Sequence, residues 1–226
     1  ISTSQVLLAV MSVFYAIYHG PAGLKRIANR VHRLTAITAT ALQQKGFALA
    51  NNTYFDTITL KVGDKQADLN QAALAAEINV RLVGSDAVGI SLNETTSIED
   101  VAQLLAVFGV TDVDLASIDD MLSVTNKAIP TDLLRTDAVL THPVFNSFHS
   151  ETEMLRYLKR LESKDIALNN AMIPLASCTM KLNATAEMVP VTWPEFGKLH
   201  PFAPASQTAG YAQLFKDLET WLADIT

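Results

Sequence analysis

Residues 172–200, MIPLASCTMKLNATAEMVPVTWPEFGKLH, are the stretch on which the reading of this chain turns. Pro174, Pro190 and Pro194 rule out one regular helix, because each proline lacks an N–H and clashes with the turn before it. The stretch is nevertheless too apolar for a solvated linker. Irregular backbone in apolar company must find partners for its polar groups, which is characteristic of a loop held in place by a scaffold. It also concentrates reactive side chains: Ser177, Cys178, Thr179 and Lys181, then His200 ahead of Pro201. The expectation is an active-site loop carried on an α/β scaffold.

Working outward, residues 206–226 read as an amphipathic helix. Tyr211, Leu214, Phe215, Leu218, Trp221, Leu222 and Ile225 form one stripe, expected to be core or a dimer contact. On the other side, Ser150 and Glu153 form a capping box opening a helix whose expected buried stripe is Met154, Leu155, Leu158 and Leu161. Residues 111–149 have little periodicity, contain Asp112, Asp114, Asp119 and Asp120, and are expected to be a solvated connector. They lack the glycine and terminal glutamate of a calcium loop.

Residues 1–110 read as long helices followed by a small α/β domain. Val6–Tyr18 is apolar nearly all round, but shorter than the roughly 20 residues of a membrane span, and Gly20-Pro21 ends it. This predicts a helix buried within a large protein. Pro21 suits the first turn of a second helix, with Leu24, Ile27, Val31, Leu34 and Leu42 inward and Lys25, Arg26, Arg30 and Arg33 on a solvated face, ending at Gly46. Alternation at Tyr54, Ile58, Leu60 and Val62 gives a strand; residues 69–77 give a helix. Val80, Leu82, Val88, Ile90 and Leu92 flank a turn at Gly84-Ser85-Asp86. Ser97 and Asp100 then cap a helix with Val101, Leu104, Leu105 and Phe108 inside. Strand–helix–strand–strand–helix predicts a small sheet with helices on one face.

The chain has 226 residues, 49% hydrophobic, with a net charge of −6, enough to build a core and lacking the basic balance of a nucleic-acid binder. A single cysteine forms no internal disulfide and suits a reducing compartment, bacterial cytoplasm or mitochondrial matrix. The five histidines, His19, His32, His142, His149 and His200, have no metal-ligand spacing, and no phosphate-binding glycine motif occurs. Cys178 could serve as a hydrolase nucleophile with His142 or His200 as base, yet no glycine-flanked elbow or orienting group accompanies it. A small packing thiol is the simpler reading.

Residues 142–204, from HPVFNSFHSETE through PLASCTMKLN to GKLHPFAP, resemble glycine decarboxylase, the P-protein family of the glycine cleavage system, and the resemblance extends over the chain from ISTSQVLLA at Ile1. The family reads PLGSCTMK where this chain has Ala176. The resemblance implies pieces of a fold-type I pyridoxal-phosphate transferase-like architecture: residues 1–110 closing a first half, 111–149 connecting, and 150–226 forming the arm and first helices of a second half. It implies an oxidoreductase of amino-acid catabolism that decarboxylates glycine on pyridoxal phosphate and passes the aminomethyl group to the lipoyl arm of H-protein, from a homodimer with no membrane attachment. The cofactor lysine of the family follows a histidine. No His-Lys pair occurs here, so Lys181 is expected to be a structural ion pair or a charge near the pocket mouth, not the aldimine lysine. Ser177, Cys178, Thr179 and His200 are the candidate pocket lining. With chain ends that look internal to a longer polypeptide, the piece alone is expected to be inactive; the alternative is a non-catalytic structural subunit of a split enzyme.

Overall fold

The computed structural model of the chain describes residues 2–125, 128–166, 172 and 184–226. By its contacts the chain divides into two units, Ile1–Ala167 and Leu168–Thr226.

The first unit is built on α1 (Ser2–Gln44), a helix of 43 residues that breaks at Gly20, where φ is 62° and ψ 179°. Only glycine adopts such angles freely. Pro21 follows and starts the second half, as its fixed φ and missing N–H favour. By length and composition alone α1 passes for a bilayer-crossing helix; the break divides it. The second half ends at Gly46, whose φ of 94° lets its N–H reach the Gln43 carbonyl at 2.9 Å and the Phe47 N–H reach Leu42 at 3.0 Å.

A four-stranded antiparallel sheet follows, in the order β1 (Ala48–Leu49), β2 (Thr57–Lys61), β4 (Ala87–Ser91), β3 (Arg81–Val83). Ile58 pairs with Ile90 and Leu60 with Val88, so four β-favouring side chains share one face. They pack into one core with Leu34, Ile37 and Leu42 of α1 and with Val101, Leu104 and Leu105 of α3 (Ile98–Val107). Between β2 and β3 lies α2 (Gln66–Ala75), whose Gln66 side-chain amide donates to the Ala87 and Gly84 carbonyls at 2.7 and 3.2 Å, holding the β3–β4 turn. Ser97 caps α3 reciprocally: its hydroxyl accepts the Asp100 N–H, and the Asp100 carboxylate accepts the Ser97 N–H at 2.7 Å. The Ser97 N–H, and then the Ser97 hydroxyl that also donates to this carboxylate at 2.8 Å, hold the Asp100 carboxyl below its usual range.

Three parts of the first unit differ from the sequence expectation. The acidic stretch after Val110 contains α4 (Leu115–Thr125), packed on α1 with Ile118 buried in the core. The apolar first half of α1 is not buried within this chain: Val6, Leu7, Leu8, Val10 and Met11 are all exposed. In α5 (Glu151–Glu162), Leu155 and Leu158 are exposed, and the half-buried residues are Met154, Tyr157 and Leu161. The aromatic Tyr157, stacked on Phe148 with ring centroids 4.2 Å apart, sets the inward face one position round the helix from the expected leucines.

In the second unit, α6 (Thr185–Met188) and α7 (Pro194–Gly197) are single turns leading to α8 (Ala209–Ile225). The stripe on α8 is present as the periodicity requires, and Trp221 on it is 61% exposed.

Candidate functional site

Of the candidate residues, Ser177, Cys178, Thr179 and Lys181 lie outside the described residues. His200 is described. The turn that presents it is anchored from α8: the Tyr211 hydroxyl donates to the Phe196 carbonyl at 2.8 Å, and the rings of Trp193, Phe196, Tyr211 and Phe215 contact in sequence. Pro201 keeps His200 extended. The Phe202 N–H then donates to His200 Nδ1 at 3.0 Å. In the neutral ring Nε2 must therefore carry the proton. His200 stands exposed at the tip beside Phe202, which is 89% exposed. The tip can thus offer a hydrogen-bond donor and an aromatic surface. His142-Pro143-Val144 repeats the geometry, with the Val144 N–H 3.2 Å from His142 Nδ1, so this turn belongs to the His-Pro sequence itself and is not unique to the site.

A cleft of about 690 Å³ lies in the first unit, lined by Arg26, Arg30, Arg33, Leu34, Ile98 and Asp119 among others. The arginines were expected on a solvated face. Arg30 and Arg33 are exposed, and each also reaches a neighbouring element. Arg30 donates to the Glu94 and Thr96 carbonyls at 3.1 and 2.7 Å, and Arg33 makes a two-pronged ion pair with Asp119 on α4. That pair raises the Arg33 pKa and lowers that of Asp119, in each case chiefly through the side-chain hydrogen bond. Partners 86 positions apart carry no local sequence signal. No group of three or more histidine, cysteine, aspartate or glutamate side chains suited to a metal ion occurs among the described residues.

Residues 1–108 match the family model described as glycine cleavage system P-protein. Over its whole length the chain is 56% identical to a glycine dehydrogenase (decarboxylating) of Vibrio parahaemolyticus. It is 55% identical to that of Shewanella sediminis and 56% identical to that of Salmonella enteritidis. Over its whole length the chain is thus similar to the P-protein of the glycine cleavage system. It spans 24% of the length of each of these relatives.

The pyridoxal phosphate that the resemblance to P-proteins implies demands a lysine amine within a shielded pocket. The lysines among the described residues, Lys25, Lys45, Lys61, Lys65, Lys159, Lys164, Lys198 and Lys216, are all exposed. Lys159 is paired with Glu162 at 2.6 Å. The described residues therefore offer no shielded amine for that cofactor.

Proposed function

We propose that the chain is one portion of a glycine dehydrogenase (decarboxylating). In this reading the whole enzyme decarboxylates glycine on pyridoxal phosphate and hands the aminomethyl group to the lipoyl arm of H-protein. The observation that carries it is 56% identity over the whole length of the chain to an enzyme so named. The exposed lysines among the described residues support a division of labour in which the cofactor amine comes from elsewhere in the polypeptide. The isolated piece is then inactive, and the assembled enzyme is a homodimer in a reducing compartment, without membrane attachment.

Within that enzyme, Ser177, Cys178 and Thr179 line the pocket, Lys181 sits at its mouth, and His200 presents its Nε2 donor to an anionic oxygen. Hydroxyls and an N–H donor are the groups suited to holding a carboxylate or phosphate. Ser177→Ala and Thr179→Ala in the full-length enzyme should each lower release of carbon dioxide from carboxyl-labelled glycine by about tenfold, the effect of losing one hydrogen bond to a charged group. His200→Asn should do the same while retaining the turn, because asparagine can also accept the N–H two residues on. Unchanged turnover in all three variants would remove this loop from the site.

A further inference from the structure

We propose that Gly20 and His149 form a latch that seats residues 142–162 on the break in α1. The inference starts from an accounting of backbone groups. A helix that stops leaves its last carbonyls without partners, and Pro21 cannot donate to the carbonyl four residues before it. At this break the imidazole of His149 supplies a donor: its Nδ1 lies 2.8 Å from the Tyr18 carbonyl oxygen. A carbonyl only accepts, so Nδ1 carries the proton.

The imidazole fits because Gly20 has no side chain. A Cβ there would stand 2.6 Å from His149 Cε1 and 2.7 Å from the Phe145 carbonyl oxygen, closer than carbon contacts allow. Glycine at this position thus serves two ends, the unusual backbone angles and the notch that the histidine fills.

The segment bearing His149 is stiffened on both sides. Before it, the Asn146 amide donates to the Leu140 and His142 carbonyls at 3.1 and 3.3 Å, and the Ser147 hydroxyl donates to Pro143 at 2.7 Å. Leu140 holds a positive φ of 52°, which a leucine adopts only under constraint. After it, the Glu153 carboxylate accepts the His149 N–H at 3.2 Å and the Ser150 hydroxyl at 2.9 Å, so the cap of α5 also fixes the histidine backbone. Phe148 stacks on Tyr157, Arg160 lies 5.3 and 5.2 Å from the two ring centres, and Phe14 of α1 reaches Tyr157 at 6.2 Å. His149 and Phe14–Tyr157 contact α1 on either side of Tyr15, giving two points of attachment that set an angle where one would leave a pivot.

The test is hydrogen exchange in the full-length polypeptide. His149→Ala should speed exchange of the backbone amides of residues 144–162 by roughly five- to tenfold, the range expected for losing one hydrogen bond. Exchange in residues 101–108 should not change. Gly20→Ala should have at least that effect on 144–162, and the double variant should fall short of the product of the two, since the added methyl then has no imidazole to strike. Unchanged exchange of 144–162 in His149→Ala, or a double variant equal to the product, overturns the latch. Should Gly20→Ala not fold, His149→Ala alone decides.

Discussion

Before Gly20, α1 turns Val6, Leu7, Leu8, Val10 and Met11 outward, Leu8 being 66% exposed; after it, Ile37 and Leu42 are 2% and 0% exposed. The two halves are built from similar apolar side chains. What separates them is the company each keeps. The second half meets the sheet, α3 and α4, whereas the ring contact that the first half makes beyond its own helix, among the described residues, is Phe14 with Tyr157. Apolar periodicity thus says that a helix surface should be covered and is silent on whether the cover lies within the same 226 residues.

The sharpest break of this comparison is a pair of truncations. Leu42→Ala, in the closed core, should cost about 2–5 kcal/mol in denaturant unfolding, the transfer term plus the cavity. Leu8→Ala in this chain should stay within about 0.5 kcal/mol, as surface changes do. A cost for Leu8→Ala in the core range, measured on the same 226 residues, would show the two halves to be equivalent after all.

A smaller effect concerns how the buried half is held at the α3 end. Arg30 grips the two carbonyls that precede the Ser97 cap, so cap and clamp adjoin. Ser97→Ala removes the acceptor for the Asp100 N–H and should cost about 1 kcal/mol. Ser97→Gly should cost only a few tenths, and a thermal melt in which alanine and glycine behave alike would mean that the hydroxyl contributes nothing.

Much of this unit was legible in sequence because its signals are local. Ser97 and Asp100 lie three apart, Gly46 and Gly109 follow the last apolar position of their helices, and Gly84 marks a turn. The failures are all non-local. Asp119 looked solvated because nothing near it names Arg33, and His149 carried no mark of its bond to Tyr18, 131 positions away. Tyr157 outcompeted Leu155 and Leu158 through ring stacking, which a count of apolar positions does not weigh. At the candidate site, proline chemistry foretold the extended His200, but the direction of its imidazole depends on one backbone N–H.

The smallest expected effect is electrostatic and tests how α4 stays on the buried half. Arg33 is 63% exposed at its side chain and Asp119 20%, so solvent screens the pair and its contribution should be no more than about 1 kcal/mol. Its sign with pH is nonetheless fixed. The folded-state pKa of Asp119 lies below the ordinary 3.8, so the folded form binds this proton less readily than the unfolded chain does. The stabilisation is fully present above the unfolded value and is lost as pH falls through the lowered folded value. Arg33 stays charged throughout and adds no pH dependence of its own in acid. Asp119→Asn should therefore lower stability at neutral pH and converge with the unsubstituted chain in acid below the folded-state value. Curves that stay parallel from pH 7 to pH 2 would mean that the pair contributes nothing, leaving Ile118 and its apolar neighbours to hold α4 in place.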